Sequence, residues 1–505
     1  MECFSMQPHP SLKPSDRDYE DTLPSRRDLY YGGGWHGALS GGTRTIYNPA
    51  TGAEICKIAD ADEADVDQTV AAARAGFAIW RDVAPLERAK ILREMAVRLR
   101  GRVDQLALLD AIDGGNPVRM LRGDVEFAAG QLDFFAGLVT EMKGASIPMG
   151  PDTVNFSTRE PQGVVARIIP FNHPLMFCAG KAAAPLAAGN AVIMKPPEQA
   201  PLSSLKLAEI WDALLPPGVL NILPGGRAAG TALAAHPGIA MVTVVGSVAT
   251  GRAVMRAAAE TIKPVLLELG GKNALIALPD ADVEDVADAV IRGMNFDWCG
   301  QSCGSTSRAF IHDSLYDAVL QKAAEKIQRF SPGIPSDPDT VMGAIASQAQ
   351  YDRVVSFVQK GIAEGARLVS GGKHPDGSAF ASGWFFEPTL FADVTMDMAI
   401  AREEIFGPVL SVLRWQDEAE LIAQVNQNDL GLTCSIWTDD LHSAHRLAGA
   451  VEAGYVWVNE VARHFLGAPF GGVRQSGLGR EECLEELLAF TREKNIHIRL
   501  KSPTA

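Results

Sequence analysis

Between residues 164 and 269 the sequence alternates short apolar runs with amphipathic segments of helical length, and no other feature constrains the fold as strongly. Runs this short and this apolar are typical of parallel strands that are covered on both faces. The alternation therefore predicts a parallel sheet with helices on both sides. The predicted strands are 164–169, 191–194, 219–223, 240–245 and 264–269, and the helices among them include 202–214 and 250–261.

The same rhythm resumes after residue 280 and predicts a second α/β lobe. Its predicted strands are 306–312, 408–414, 432–438 and 454–458, and its predicted helices are 283–296, 313–329, 347–363, 416–426 and 440–450. The boundary between the lobes is expected within residues 270–280. Because ligands often bind in the cleft between two lobes, a site is expected near this boundary.

Composition and charge exclude several classes of protein. With 505 residues, of which 47% are hydrophobic and 21% charged, the chain has the makeup of a globular enzyme of two or three domains. A formal net charge of −15 argues against nucleic acid as a partner, because phosphate binding needs a basic face. The sequence has no run of about 18 apolar residues, so we expect no membrane span. Seven scattered cysteines, an odd number, favour a reducing compartment, and we expect a cytoplasmic protein.

Cys303 is the strongest candidate nucleophile. It lies in the stretch Gly-Gln-Ser-Cys-Gly-Ser at 300–305, whose small residues would let a carbonyl group come close. A free cysteine taken alone is more often a small core residue, but this polar, glycine-flanked setting favours the nucleophile. Cys299 lies four residues earlier without a second pair nearby, so we expect it to be a packed residue and expect no metal site.

Glu268 is the candidate base. It follows the apolar run 265–267 and precedes Gly270 and Gly271. A carboxylate is rarely placed at the end of a buried strand without a task or a partner. As a base, Glu268 could activate the water that hydrolyses an acyl-cysteine. The alternative is a structural ion pair, for which Lys272 is the nearest candidate.

Asn172 offers a third group, between a predicted strand and the helix that Pro174 is expected to begin. Its side-chain amide is placed where it could donate to a developing oxyanion, and loss of one such donor typically costs about 100- to 1000-fold in rate. The alternative role is to cap the following helix, which asparagine does well. The spacing alone does not separate these roles.

Two turns suit a nucleotide, although the chain has no GxGxxG motif after a strand and no Walker A motif. The small residues at 246–251 follow a strand and lead into a helix, which suits phosphate binding at a helix N-terminus. Lys195 and Glu198 follow another strand and could hold ribose hydroxyls. Taken singly, each turn is better explained as a plain strand-to-helix connection.

Taken in order, these stretches resemble the aldehyde dehydrogenase superfamily, and the resemblance extends over about residues 29–500. The matching motifs occupy residues 170–174, 195–198, 246–251, 267–273, 300–303, 404–408 and 469–481. The resemblance implies two Rossmann-like α/β lobes and a small β oligomerisation element. The NAD-binding lobe would comprise 29–142 and 163–270, the catalytic lobe 271–483, and the oligomerisation element 143–162 and 484–505. Residues 1–28, rich in proline and charge, are expected to form a loose tail.

The resemblance also implies roles for individual residues. Cys303 would be the nucleophile, and its backbone N–H would form the oxyanion hole with the amide of Asn172. Glu268 would activate water, and Lys181 matches a lysine near the family's active-site tunnel. The cofactor-binding residues implied by the resemblance are Ile169, Pro170, Phe171, Lys195, Glu198, Gly246, Ser247, Gly251, Leu269, Glu404 and Phe406.

NAD is the cofactor that the resemblance implies. Glu404 would hold the nicotinamide ribose and Phe406 would pack near the nicotinamide, while Lys195 and Glu198 would hold the adenosine ribose. An acidic residue at position 198 would repel a 2′-phosphate, so NADP is less favoured. The implied partners are a small aldehyde and further copies of the chain, in a homodimer or homotetramer.

The predicted function is therefore NAD-dependent oxidation of an aldehyde to a carboxylic acid, through a thiohemiacetal and a thioester on Cys303. Three alternatives stay open: a CoA-acylating relative, a cysteine esterase-type hydrolase, and a catalytically silent relative. Retention of Glu268 favours water over CoA as the acyl acceptor. His173 and the segments 297–299 and 463–465 are unusual for the family, and we expect them to affect the substrate tunnel.

Overall fold

A computed structural model describes residues 19–500 of the chain. The strands, in chain order, are β1 (Leu29–Tyr31), β2 (Gly34–His36), β3 (Thr43–Tyr47), β4 (Glu54–Ala59), β5 (Ser146–Ile147), β6 (Thr153–Pro161), β7 (Val164–Ile168), β8 (Ala191–Lys195), β9 (Leu220–Ile222), β10 (Met241–Gly246), β11 (Val265–Leu269), β12 (Ala274–Ala277), β13 (Arg308–His312), β14 (Arg367–Ser370), β15 (Thr389–Ala392), β16 (Val409–Trp415), β17 (Leu430–Gly431), β18 (Thr433–Trp437), β19 (Tyr455–Val458), β20 (Val473–Arg474), β21 (Gly477–Leu478) and β22 (Thr491–Arg499).

The helices alternate with these strands through both lobes. In chain order they are α1 (Glu63–Trp80), α2 (Pro85–Arg100), α3 (Val103–Gly114), α4 (Val118–Gly137), α5 (Pro174–Ala187), α6 (Leu202–Trp211), α7 (Arg227–Ala235), α8 (Val248–Ala259), α9 (Val283–Gly293), α10 (Asp313–Lys326), α11 (Gln348–Ala363), α12 (Ala399–Arg402), α13 (Glu418–Asn426), α14 (Leu441–Ala450) and α15 (Leu484–Ala489). Within residues 19–500, no helix combines the length and the apolar character needed to cross a bilayer.

Local sequence signals set the ends and the buried faces of these elements, as α1 shows. Asp62 caps its N-terminus, and the Asp65 side chain accepts a hydrogen bond from the backbone N–H of Asp62, which completes a capping box. Val66, Val70 and Ala73 recur at helical spacing and are buried against the first sheet. The cap fixes where the helix begins, and the apolar stripe fixes which side faces the core.

The first lobe is built on an eight-stranded sheet with the order β2-β1-β9-β8-β7-β10-β11-β21. The strands β7 to β11 are parallel; the chain enters at β7, runs outward through β8 and β9, then crosses to β10 and β11. The direction of winding reverses between β7 and β10, and such switch points are where open α/β sheets bind ligands. Apolar clusters attach α2 to α6 to one face and α1, α7 and α8 to the other.

The second lobe repeats this architecture in a seven-stranded sheet with the order β14-β15-β16-β13-β12-β18-β19. All its strands are parallel except β14. A single apolar cluster joins the sheet to the helices around it. The predicted α/β class with parallel sheets is confirmed.

A separate three-stranded antiparallel sheet, in the order β22-β6-β5, coincides with most of the segment expected to mediate assembly. β22 pairs with β6 over its whole length, from Thr491 opposite Pro161 to Arg499 opposite Thr153. Val154 and Ile498 are directly opposite each other in this register, and they are 43% and 44% exposed.

The domain boundary near the C-terminus differs from the prediction. β21 lies in the predicted catalytic lobe, yet it pairs antiparallel with β11 of the first lobe. Leu487 of α15 and Phe490 pack in the first-lobe core, although both were assigned to the oligomerisation element. β21 therefore covers the edge of the first sheet, and Leu487 and Phe490 supply apolar side chains to the first-lobe core.

The predicted tail also differs over the part that the structure describes. Residues 1–18 lie outside the described residues, but residues 19–28 are packed against the first lobe. Leu23 is buried, and the Ser25 hydroxyl donates to Glu209 of α6 over 2.7 Å. A single apolar anchor within a polar stretch is too weak a signal to reveal this from sequence.

Candidate active site

A cleft of about 910 Å³ lies between the lobes, at the carboxyl ends of β7, β10 and β11. It is bounded by side chains of both lobes and includes the switch point of the first sheet. Nine predicted site residues line it, namely Pro170, Phe171, Asn172, Gly246, Ser247, Glu268, Cys303, Glu404 and Phe406. The fold thus brings together groups that are up to 236 residues apart in sequence, from 170 to 406.

The loop that carries Cys303 is held by hydrogen bonds from Asn273. The Asn273 side-chain amide donates to the carbonyl oxygens of Cys303, at 2.7 Å, and Ser305, at 3.0 Å. Its oxygen accepts from the backbone N–H of Thr433 at 3.0 Å, which ties the loop to β18. Gly300 has a φ of +64°, and a Cβ there would lie 2.3 Å from the Gly407 carbonyl oxygen, so only glycine fits. These constraints present the partly exposed Cys303 thiol to the cleft.

Cys303 and Glu268 lie close enough to shift each other's pKa. Burial raises the pKa of the Cys303 thiol well above its usual value, and the carboxyl groups of Glu268 and Glu404 raise it further. Burial also raises the pKa of Glu268 well above the usual carboxyl range, helped by Glu481. The two groups are therefore electrostatically coupled, and burial disfavours the charged form of each. Perturbed titration of this kind in a cleft is typical of catalytic groups.

Glu268 does not form the ion pair with Lys272 that was the alternative. Among the described residues, neither Glu268 Oε1 nor Lys272 Nζ has a hydrogen-bond partner. Burial lowers the pKa of Lys272 to about 7. The Glu268 carboxyl is instead left available to a molecule in the cleft.

Asn172 does not cap helix α5. The cap position is occupied by His173, which makes no side-chain capping bond, and the helix begins with Pro174. Asn172 is 2% exposed and lines the same cleft as Cys303. Its backbone carbonyl oxygen accepts from the side-chain amide of Asn116 at 2.8 Å, which fixes its position. Capping of α5 is therefore not the role of the Asn172 side chain.

Glu404 and Phe406 lie on a loop that helix α11 holds in place. The Glu404 carboxylate accepts from the Gly271 backbone N–H at 3.1 Å, and burial raises its pKa to about 7. Gln350 of α11 donates to the carbonyl oxygens of Ile405, at 3.0 Å, and Phe406, at 2.7 Å. Arg353, one turn further along, donates to the carbonyl oxygen of Glu404. Phe406 faces Phe171 edge to face, with ring centroids 5.6 Å apart.

Gln350 and Arg353 line the cleft but were not found from the sequence. They are three residues apart and share one face of α11, a pattern that any solvent-facing helix would also show. Nothing in the sequence relates this face to a loop about 50 residues later. Asn273 was missed for a similar reason, although it ends the motif that contains Glu268.

Lys181 is buried behind the cleft and does not line it. Its Nζ lies 2.8 Å from Glu481 Oε2, in a buried network with Arg167 and Glu486, whose side chains are 2.9 Å apart. Burial alone would lower the pKa of Lys181, but Glu481 and Glu486 hold it above its ordinary value. The positive charge of Lys181 in turn partly offsets the raised pKa of Glu268.

The remaining predicted cofactor residues do not line the cleft. Gly251 and Leu269 pack against each other, since a Cβ at Gly251 would lie 2.5 Å from Leu269 Cδ1. The Ile169 backbone N–H donates to the carbonyl oxygen of Lys195 at 3.2 Å. Burial lowers the pKa of Lys195 to about 8, and Glu198 partly opposes this shift. Lys195 and Glu198 therefore form a second group, at the ends of β8 and β9.

Comparison with known proteins gives one consistent result. A family model described as the aldehyde dehydrogenase family matches residues 35–496. The aldehyde dehydrogenase tropH of Talaromyces stipitatus is 49% identical over 501 residues, which cover 98% of this chain and 97% of that protein. The NAD+ complex of aldehyde dehydrogenase from Bacillus cereus has a TM-score of 0.93 at 35% identity, over 97% of this chain and 100% of that one.

A second solved structure, a mutant of P. syringae AldA indole-3-acetaldehyde dehydrogenase in complex with NAD+ and IAA, has a TM-score of 0.92. It is 35% identical and covers 96% of this chain and 99% of that one. These comparisons confirm the family and the enzyme class expected from the motifs. The chain belongs to the aldehyde dehydrogenase family.

Proposed function

We propose that this enzyme oxidises an aldehyde to a carboxylic acid, with NAD as the hydride acceptor and Cys303 as the covalent nucleophile. The observation that carries the proposal is the meeting of Cys303, Glu268 and Asn172 at one cleft, although they come from three separate elements. The NAD+ complexes of the relatives from Bacillus cereus and P. syringae support the choice of cofactor.

The cleft fits a dinucleotide. Its volume lies within the usual range for ligand sites of roughly 300–1,000 Å³. Ser247 caps helix α8 by accepting from the backbone N–H of Thr250, and the other N–H groups at this helix N-terminus, beside Gly246, would be available to phosphate. The Glu404 carboxylate and the Lys195–Glu198 pair would hold the two riboses. NAD, when bound there, supplies a hydride acceptor.

The chain's own residues account for the remaining chemistry. The Cys303 thiol loses its proton to water, and the resulting thiolate attacks the aldehyde carbon and forms a C–S bond, while the C=O π electrons move to the oxygen, which becomes an oxyanion. The Asn172 amide and the Cys303 backbone N–H donate to that oxyanion. Loss of hydride from the same carbon leaves a thioester on Cys303.

Glu268 then completes the cycle. It removes a proton from water, the resulting hydroxide attacks the thioester carbon, and the Cys303 sulfur leaves. The carboxylic acid departs and the thiol recovers a proton. Because burial holds the Glu268 pKa high, its ionised form is a stronger base than an ordinary carboxylate.

A panel of aldehydes tests the proposal, with NADH formation and the acid product both measured. We expect acid formation that requires NAD and does not require CoA. Formation of acyl-CoA, with no acid, would identify the acylating alternative. Ester hydrolysis without any NAD reduction would identify the hydrolase, and a chain inert in all three assays would be a silent relative.

Assembly and location complete the proposal. We infer a homodimer or homotetramer formed through the β5-β6-β22 sheet, since Ile147, Val154, Ile498 and Leu500 on this element are exposed apolar side chains. We also infer a cytoplasmic enzyme. The six cysteines within residues 19–500 are all free thiols, which suits a reducing compartment.

A further inference from the structure

The β3–β4 hairpin carries a charged cluster to the edge of the proposed adenosine ribose site. Arg44 on β3 makes three hydrogen bonds to Asp60, from Nε at 3.2 Å and from Nη2 at 3.1 and 2.9 Å. The same guanidinium reaches Glu198, with Nη1 at 3.1 Å from Oε2. The backbone N–H of Ala61 donates to the Pro224 carbonyl oxygen at 3.0 Å, which fixes the hairpin against the end of β9.

Small residues bring this cluster close to the start of helix α7. A Cβ at Gly226 would lie 2.5 Å from Arg44 Nη2 and 3.7 Å from Glu198 Oε2. A Cβ at Gly230, one turn later, would lie 3.5 Å from Lys195 Cε. Arg44, Lys195 and Glu198 therefore converge on one glycine-lined surface, beside the residues proposed to hold the adenosine ribose.

The donors of Arg44 are divided between two carboxylates. Asp60 accepts hydrogen bonds from Nε and Nη2, and Glu198 forms an ion pair with Nη1. A guanidinium binds phosphate best when two of its N–H groups are free to point at the same anion. While Glu198 is paired with Nη1, a phosphate at this place meets repulsion from the carboxylate and a guanidinium group whose charge two carboxylates already share.

We propose that Arg44 can bind the 2′-phosphate of NADP, and that the Glu198 carboxylate prevents this binding in the wild-type enzyme. This inference rests on the proposed use of NAD and goes beyond it, because Glu198 then acts by occupying a cation as well as by repulsion. Removal of the Glu198 carboxylate leaves Asp60 to hold the guanidinium in place, with Nη1 free and Lys195 nearby. Selectivity between the two cofactors would then depend on Arg44.

Binding of two nucleotides to the purified enzyme tests this without catalysis. AMP and 2′,5′-ADP share the adenosine and the 5′-phosphate, and only the latter carries a 2′-phosphate. Because Glu198 is also proposed to hold the adenosine ribose, the readout is the ratio of 2′,5′-ADP affinity to AMP affinity, which we expect to rise at least about tenfold in Glu198→Ala. The gain should shrink as salt is added, because it is a charge interaction at a partly exposed site.

The double variant Glu198→Ala with Arg44→Gln decides between the two explanations. If Arg44 binds the 2′-phosphate, the gain in this ratio disappears in the double variant while AMP still binds. A gain that survives the loss of Arg44 would overturn the inference, and so would no gain in Glu198→Ala. Glu198→Gln repeats the comparison with a side chain of the same length, should the alanine variant fold poorly.

Failure of the proposed function would look different. A wild-type enzyme that binds neither AMP nor 2′,5′-ADP would show that no adenosine site exists at this place. If AMP binds but the affinity for 2′,5′-ADP does not depend on Arg44, only the inference about the 2′-phosphate is refuted. The ratio of NADP to NAD turnover in the same variants gives a second, independent readout.

Discussion

The side-chain amide of Asn273 donates to the backbone carbonyl oxygen of Cys303 over 2.7 Å, and this bond joins the residue before β12 to the loop that carries Cys303. The same side chain also holds Ser305 and Thr433. We expect Asn273→Ala to destabilise the fold by about 1–3 kcal/mol, because buried polar partners lose their bonds. It should also slow acylation, because the Cys303 loop is no longer fixed.

Asn221→Ala is the matched control for this variant. Asn221 is also buried and also makes three bonds, to Val192, Gly218 and Gly32, within the first lobe. Thermal midpoints should fall in both variants, whereas single-turnover acylation should slow only in Asn273→Ala. Equal slowing in the two would show that Asn273 acts through general stability alone.

Glu268→Gln should separate hydride loss from thioester hydrolysis. The amide keeps the size of the side chain but cannot remove a proton from water. We expect a burst of NADH close to one per active site, followed by steady-state turnover reduced at least about 100-fold. Rapid mixing with an aldehyde and NAD measures both phases. The control is Glu260→Gln, which replaces an exposed carboxylate at the end of α8. Steady-state turnover at the wild-type rate in Glu268→Gln would show that Glu268 is not the base.

The pH dependence of thiol alkylation tests the electrostatics of the pair. Since burial and then Glu268 raise the pKa of Cys303, its thiolate fraction should still be rising above pH 9, the value of an ordinary thiol. In Glu268→Gln the profile should move to lower pH, because a negative neighbour is lost, yet stay above the ordinary value because burial remains. Iodoacetamide labelling of the Cys303 peptide reports this. A profile unchanged by the substitution would show that the two groups are not coupled.

Assembly should depend on the exposed apolar pair of the three-stranded sheet. Val154 on β6 and Ile498 on β22 are opposite each other, and both are exposed. We expect Ile498→Asp to shift the enzyme toward monomer in sedimentation velocity, because a buried unpaired charge at an interface is costly. Val97→Asp, at an exposed position on α2, should leave the mass unchanged. An unaltered oligomer in Ile498→Asp would place the interface elsewhere.

The parallel strands were predictable because each is a short apolar run with clear punctuation at its ends. The predicted strands at 164–169 and 191–194 differ from β7 and β8 by one residue each. Both faces of these strands are buried, so their pattern owes little to distant partners. β12 was not predicted, although its four residues are all buried in the second sheet, because it follows β11 after a short turn.

The contacts that complete the site could not be predicted, because they depend on which strands become neighbours. Asn273 reaches Thr433 only because β12 pairs with β18. The two residues of β21 are too few to show any periodicity, yet they close the edge of the first sheet beside Glu268. Arg44 has its partners 16 and 154 residues away, a relation that no local pattern encodes.

The most direct test of the account is the covalent state of Cys303. Glu268→Gln is mixed with an aldehyde and NAD, quenched in acid, and digested for peptide mass spectrometry. We expect the peptide that contains Cys303 to gain the mass of the aldehyde less two hydrogen atoms, as a thioester requires. When Cys303→Ala is added to Glu268→Gln, neither the adduct nor NADH should form. When Cys56→Ala is added instead, which removes a buried thiol elsewhere, both should form. Full turnover by Cys303→Ala, or an acyl group on another residue, would contradict the account.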